Sequence, residues 1–200
     1  MLYNIIIMFE FKGNKMKDIK EFEEREKTSE LIFDGKVLHL YRDEIYLPDG
    51  REAFREDCRH TGAVCVVPVT DEGEVICVSQ YRYAVGQMML EIPAGKLDTP
   101  DEDPTSAALR ELKEETGATC KKLTYMGLNY GTPAILSEKI YMYLAEGLEF
   151  GDTHLDEDEF LEVERIPIKT LVDMIGRGEV PDGKTQTAVL RAYFGMMNKS

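Results

Sequence analysis

The residues best suited to do chemistry are carboxylates on one short stretch. Within Arg110-Glu111-Leu112-Lys113-Glu114-Glu115 three glutamates stand at i, i+3 and i+4, and on an α-helix that spacing puts them on one face. Like charges so placed repel by about 0.2–0.5 kcal/mol per pair even in water, and by more in a cleft. Two settings tolerate the cluster. One is a solvated surface, where it is inert; the other is the vicinity of divalent cations, where oxygen-only ligands favour Mg2+ or Mn2+. Ala108, Leu109 and Leu112 lie around the other side of the helix and are expected to bury. The turn Ile92-Pro93-Ala94-Gly95 and the loop KLDTPDED lead straight into the helix. They bring backbone carbonyls and amides beside the carboxylates, a cradle for phosphate and metal.

The helix must be positioned, and its ends are well marked. Asp103 is a good N-cap, Pro104 suits the first helical position, and Gly117 can close the helix in a left-handed conformation. Upstream the pattern is strand-like. LIF and VLHLYRDEIYL flank Asp34-Gly35, a dipeptide of tight hairpins, and Pro48-Asp49-Gly50 is a second turn before the half-exposed strand REAFREDCRH. GAVCVVPV and VICVSQYRY flank DEGE as a hairpin buried on both faces. Downstream come strands at KLTYMGLNY, EKIYMYLAE and FLEVERIP, then helical patterns over Ile168 to Gly176 and Lys184 to Met197. No internal repeat or low-complexity stretch appears. This order predicts a mixed α+β sandwich, not a doubly wound parallel sheet.

Composition narrows the function. The 200 residues are 43% hydrophobic with 16 Gly and 8 Pro, which excludes disorder, collagen-like repeats and a disulfide miniprotein. Lys+Arg 24 against Asp+Glu 38 leaves a net charge of −14, a poor starting point for binding duplex nucleic acid. An anionic substrate would therefore have to be met by metal cations or by a few placed arginines. The cysteines Cys58, Cys65, Cys77 and Cys120 show no CxxC spacing and read as small hydrophobes in a reducing compartment. His39, His60 and His154 form no ligand pair. Leu2 to Phe9 is apolar but far shorter than a membrane span, without a basic leader or cleavage site, so a cytoplasmic protein with no membrane partner is expected. Met16 opens the charged run MKDIKEFEEREK and resembles a protein start better than Met1, which leaves residues 1–15 as an upstream extension or flexible arm.

The stretch Gly95 … Glu102 … Arg110-Glu111-Leu112 … Glu114-Glu115 … Gly117-Ala118 resembles the Nudix box, G-x5-E-x7-R-E-U-x-E-E-x-G-U. From Glu102 to Ala118 the match is complete; between Gly95 and Glu102 stand six residues instead of five. The resemblance covers roughly residues 30–197. VVPV, QYRY and EIPAGKL upstream, with LDEDEFLEV and GKTQTAVL downstream, look like the ADP-ribose pyrophosphatase branch. Pro133 stands 16 residues beyond Gly117, as that branch requires, though in Thr132-Pro133-Ala134 instead of Ser-Pro-Gly.

The resemblance implies a Nudix-type α/β/α sandwich with a mixed central sheet and a small N-terminal antiparallel β-sheet used in dimerisation. Residues 1–30 are then a charged extension, 31–60 the N-terminal β segment, and 61–200 the catalytic domain. It implies that Glu111 and Glu115 ligate metal directly, Glu114 directly or through water, and the Ala94 carbonyl alongside them. Arg110 would orient the glutamates and Glu102 would support the helix start. In the acidic loop Asp156-Glu157-Asp158-Glu159, otherwise a solvated charge run, Glu157 is the first choice for the general base and Glu159 the second. Arg82 and Arg55 would meet phosphate or ribose, Glu138 the ribose, and Gly95 and Leu97 the substrate through their turn. Tyr81 and Phe54 are candidates for stacking on adenine, with core packing the commoner use of such residues. A homodimer follows, with the N-terminal sheet exchanged between subunits. The activity implied is Mg2+-dependent hydrolysis of ADP-ribose to AMP and ribose 5-phosphate. Other ADP-sugars, GDP-mannose and, more distantly, NADH are rival substrates; a non-catalytic ADP-ribose sensor and a purely structural dimer are rivals of another class.

Overall fold

The computed structural model describes residues 19–153 and 160–198. The chain forms two compact units, one reaching to Asp57 and the other starting at Cys58. In the first, β1 (Arg25–Asp34), β2 (His39–Tyr46) and β3 (Glu52–Arg59) make a three-stranded antiparallel sheet in the order β1-β2-β3. Its stability draws little on a core: every residue of β1 is exposed, and among the described residues of this unit only Asp43 and Ile45 are buried. Exposed ion pairs span its face, with Lys27 on Glu52 at 2.9 Å and Arg42 on Glu30 at 2.8 Å, and each is worth little in water. β1 begins at Arg25, earlier than the apolar run starting at Leu31, because its first half is charged and solvated and shows no hydrophobic alternation. Asp34-Gly35 does not make a two-residue hairpin. β2 starts only at His39, and Gly35 N–H closes a wider turn onto the Leu38 carbonyl at 2.8 Å.

The second unit is built on a seven-stranded sheet. β4 (Ala63–Val69), β5 (Glu74–Arg82), β6 (Gln87–Glu91), β7 (Ala94–Lys96), β8 (Ala118–Asn129), β9 (Ile140–Phe150) and β10 (Leu161–Pro167) assemble in the order β10-β5-β4-β9-β8. β6 pairs with β5 and β7 with β4. β4 and β9 are parallel, Ala63 opposite Ile140, while the other pairs are antiparallel, so the sheet is mixed as the element order predicts.

Alternation along β4 separates the two covering layers. Val64 and Val66 point to one side, where Ala107, Ala108 and Leu112 of α1 (Pro104–Thr116) pack with Tyr143 and Ala145 of β9. Cys65, Val67 and Val69 point to the other, against Leu171 of α2 (Ile168–Gly176) and Ala188, Val189 and Ala192 of α3 (Gly183–Met197). The result is an α/β/α sandwich with α1 alone on one face. Burial pushes the thiols of Cys65 and Cys77 up to about 12, which leaves them as inert apolar filler. Among the described residues no helix is long and apolar enough to cross a membrane.

Candidate active site

The phase of α1 decides which carboxylates face the sheet edge. Asp103 caps the helix by accepting from Ser106 N–H at 3.0 Å, Pro104 fills its first turn, and Gly117 ends it at φ +68° with its N–H on the Lys113 carbonyl. Ala107, Ala108 and Leu112 are fully buried and lock the rotation of the helix. Leu109 is exposed, contrary to expectation: the buried face of α1 is made by Ala107, Ala108 and Leu112, and Leu109 lies outside it. The rotation leaves Glu111 only 9% and Glu115 only 4% exposed. Burying two carboxylates side by side is costly unless cations compensate them.

The Ile92–Gly95 turn meets this face. β7 pairs with β4, Cys65 opposite Ala94 and Val64 opposite Gly95, and that pairing holds the turn against the helix. Ala94 N–H donates to Glu115 Oε2 at 3.3 Å. Gly95 has no tolerance for a side chain: a Cβ there would stand 2.0 Å from Glu111 Oε1. The Glu111 carboxylate therefore packs directly on bare backbone, and glycine is required for close approach. Ala94, Gly95, Glu111 and Glu115 are thus gathered into one place.

Arg110 is the cation that serves this cluster. Its Nη1 donates to Glu111 at 2.7 Å and Glu114 at 3.2 Å, its Nη2 to Glu102 at 3.4 Å and the Lys96 carbonyl at 3.2 Å, and its Nε lies 3.6 Å from Asp98. Partial burial alone would lower its pKa, but the surrounding carboxylates, Glu111 foremost, outweigh this and raise it. The extra residue between Gly95 and Glu102 is absorbed by the loop. Asp98 N–H donates to Glu102 Oε2 at 2.6 Å, and Glu102 still reaches Arg110.

Four carboxylates, Asp98, Glu102, Glu111 and Glu114, therefore share one guanidinium, and Glu115 is buried on the same helix. The donor set is all oxygen and carries surplus negative charge, which suits a hard divalent cation such as Mg2+ or Mn2+. Among the described residues no three His, Cys, Asp or Glu side chains are drawn into a ready-made cage. Glu111 and Glu114 are turned onto Arg110, and Glu115 onto the Ala94 amide.

The remaining sequence candidates fall in different places. Arg82, at the end of β5, is 43% exposed at its side chain and grips Glu91 through Nε and Nη2, both at 2.7 Å. Its pKa is raised, first by the Glu91 hydrogen bonds. Glu91 stands three residues before Ala94, whose N–H meets Glu115, so the turn links Arg82 to the α1 cluster. Glu138 lies 3.8 Å from Nδ1 of His60, and that nitrogen accepts Gly62 N–H at 3.0 Å. The segment after Pro133 is laced to this strand end: Cys58 N–H bonds the Ile135 carbonyl at 2.8 Å, and His60 N–H bonds Ser137 Oγ at 2.9 Å. Leu97 is a core residue, with its N–H on the Gly62 carbonyl at 3.0 Å. Arg55 belongs to the first unit and pairs there with Glu24. Tyr81 and Phe54 are both exposed, not packed in a core, since Tyr81 sits near the free end of the β5–β6 hairpin and the N-terminal sheet offers Phe54 no covering layer. Glu157 and Glu159 lie outside the described residues.

Three polar residues that matter to the site escaped the sequence reading: Glu91, Lys184 and Thr185. Glu91 is 3% exposed at its side chain and also accepts from Lys184 Nζ. Lys184 in turn reaches Asp182 at 3.0 Å. Thr185 Oγ1, fully buried, accepts Ile92 N–H at 3.0 Å. A signal for the first was present. A lone carboxylate inside the apolar run QMMLEIPAG must find buried cations, and the chain holds few of them.

The profile of the NUDIX domain matches residues 59–186. An ADP-ribose pyrophosphatase of Bacillus subtilis (strain 168) is 43% identical over 173 residues, 86% of this chain and 93% of its own length. A methanol dehydrogenase activator of Bacillus methanolicus is 39% identical over 172 residues, covering 85% of this chain and 92% of that protein. The crystal structure of an ADP compounds hydrolase superposes with a TM-score of 0.79 at 23% identity, over 89% of this chain and 96% of that one, a likeness of fold.

Proposed function

The chain belongs to the Nudix family of hydrolases, and from that premise we propose that it cleaves the diphosphate bridge of ADP-ribose in a Mg2+-dependent reaction that yields AMP and ribose 5-phosphate. One observation carries the reading. Glu111 and Glu115 are buried together on α1 against the Ala94–Gly95 turn, two carboxylates beside the single Arg110 guanidinium. The pyrophosphatase relative supports the substrate.

Glu111, Glu115, Glu114 and the Ala94 carbonyl would hold the metal, with Mn2+ able to replace Mg2+. When bound, a divalent cation neutralises the diphosphate and acidifies water in the site. The protein's own residues do the rest. Arg110 keeps the glutamates aimed, and Gly95 lets the Glu111 carboxylate lie flush against the turn. Arg82 offers a guanidinium to the phosphates, since that group suits bidentate recognition. Glu157, with Glu159 as the alternative, takes the proton from the attacking water. The water oxygen bonds to phosphorus, the bridging P–O bond breaks, and the departing phosphate leaves as a monoester.

The working form is a homodimer in the cytoplasm, without nucleic-acid or membrane partners. The N-terminal sheet supports the dimer, since it leaves Leu31, Ile32 and Phe33 of β1 exposed. The free cysteines and the net charge of −14 support the rest.

The test is a substrate panel offered to the purified chain with Mg2+. ADP-ribose is expected to give the highest kcat/KM, with AMP and ribose 5-phosphate in equal amounts. GDP-mannose, NADH or a nucleoside triphosphate ranking above it would overturn the substrate. Retention of tight ADP-ribose binding with no cleavage would identify a sensor.

A further inference from the structure

We propose that Glu91 is a positioning residue: clamped by Lys184, it fixes the Arg82 guanidinium so that its outer edge is presented to a substrate diphosphate beside the α1 carboxylates. This rests on the hydrolase reading above and adds a residue to it.

The geometry separates the two edges of Arg82. Nε and Nη2 form a two-point contact with Glu91 at 2.7 Å each, while Nη1 makes no hydrogen bond among the described residues. An arginine held by one edge keeps the other edge in a defined plane, which a free side chain on a strand end does not. The side chain is partly exposed, so a ligand can reach it.

Glu91 can act as an anchor because it is itself immobilised. Its carboxylate is almost wholly buried and takes Lys184 Nζ as well as Arg82. Lys184 is held from its far side by Asp182, the N-cap of α3, whose Oδ2 also accepts from Thr185 N–H at 2.9 Å and Thr185 Oγ1 at 2.6 Å. Thr185 then receives the N–H of Ile92, the residue after Glu91. Backbone and side chain at this point are both pinned by the first turn of α3. The same turn thus braces the start of the Ile92–Gly95 segment and the arginine beside it.

Burial alone would push the Glu91 carboxyl up; Arg82 and Lys184 together reverse this and hold it below the usual carboxylate range. Glu91 is therefore ionised at neutral pH. A lone ion pair would satisfy Glu91 with one cation; the second cation stiffens it and leaves Arg82 less tightly neutralised.

The experiment compares the full chain with Glu91→Gln, Arg82→Ala and the double variant, reading ADP-ribose turnover and, by calorimetry, the affinity for ADP. Losing a charge-assisted anchor is expected to raise KM and weaken ADP about tenfold in Glu91→Gln, with kcat within about threefold of wild type. In the Arg82→Ala background Glu91→Gln is expected to add nothing, because its effect passes through Arg82. Multiplicative losses in the double variant, or a fall in kcat with KM unchanged, would overturn the proposal. Should Glu91→Gln fail to fold, Glu91→Gln/Lys184→Met removes one stranded cation with the carboxylate and is read by the same criteria. A wild-type protein that binds ADP without cleaving ADP-ribose would sink the hydrolase reading alone, leaving the affinity series to judge Glu91. Failure to bind ADP at all would sink both.

Discussion

Two ionic clusters flank the Ile92–Gly95 turn, and they are opposites. Around Arg110 one cation serves Asp98, Glu102, Glu111 and Glu114, with Glu115 close by; around Glu91 one buried carboxylate is served by two cations. The first is left with surplus charge, the second is saturated. A saturated buried network stiffens a fold, because removing any partner strands a charge. Under the function proposed above, the surplus charge of the other is what a divalent cation would neutralise. The turn between them is thereby fixed on one side and available for chemistry on the other.

The largest expected consequence falls on the unsaturated side. Glu115→Gln is expected to cut kcat at least a hundredfold, about 2.7 kcal/mol of barrier. Circular dichroism and Tm should stay near wild type, since the change relieves like-charge repulsion. A large fall in Tm would make Glu115 structural and erase the contrast between the clusters.

Next comes the metal itself. Removing divalent ions with EDTA should abolish turnover, and Mg2+ at about a hundred times its Kd should stabilise the fold by about 2.7 kcal/mol, read as a rise in Tm. In Glu111→Gln that rise should vanish. A Tm indifferent to Mg2+ in wild type would mean that the surplus charge binds nothing.

On the saturated side, Thr185→Val strands the Ile92 N–H and is expected to cost about 1–3 kcal/mol in urea unfolding. Acid sharpens the point. Because the Glu91 pKa is depressed on folding, its contribution is complete above the ordinary carboxylate value of 4.5 and is lost as pH falls through its lowered folded value. The stability gap between wild type and Glu91→Gln should therefore be constant from pH 7 to 5 and close below 4.5, as measured by urea melts. A gap that widened in acid would show Glu91 to be protonated in the fold.

The smallest effect is expected in the N-terminal sheet. Its ion pairs are exposed, so Arg42→Ala should change stability by less than about 1 kcal/mol.

How much of this was legible in the sequence depends on the range of the forces involved. α1 could be placed within a residue because its caps are local: Asp103, Pro104 and Gly117 act on their own neighbours. β4 and β5 were legible because burial on both faces leaves long apolar runs. β7 was not, since Ala-Gly-Lys has no strand propensity and is extended only because β4 pairs with it. The first half of β1 was hidden by its solvated charges. In the site, the glutamates of α1 declared themselves by spacing. The link from Lys184 to Glu91 crosses the sequence between two elements and leaves no local pattern. Leu109 misled because an apolar side chain at the edge of a helical face can bury or not according to what the rest of the fold lays over it, which the sequence does not show locally.

The parallel pairing of β4 with β9 has a consequence for how the molecule comes into being. Those two strands bracket α1 along the chain, so the carboxylate helix lies inside the loop their pairing closes. Closing a long loop is slow and entropically uphill, and high contact order delays folding. Any fragment ending before Ile140 lacks the strand beside Ala63 and leaves Val64 and Val66 without the far half of their apolar layer. The face that carries Glu111 and Glu115 is therefore a late product of folding, complete only once β9 has joined β4.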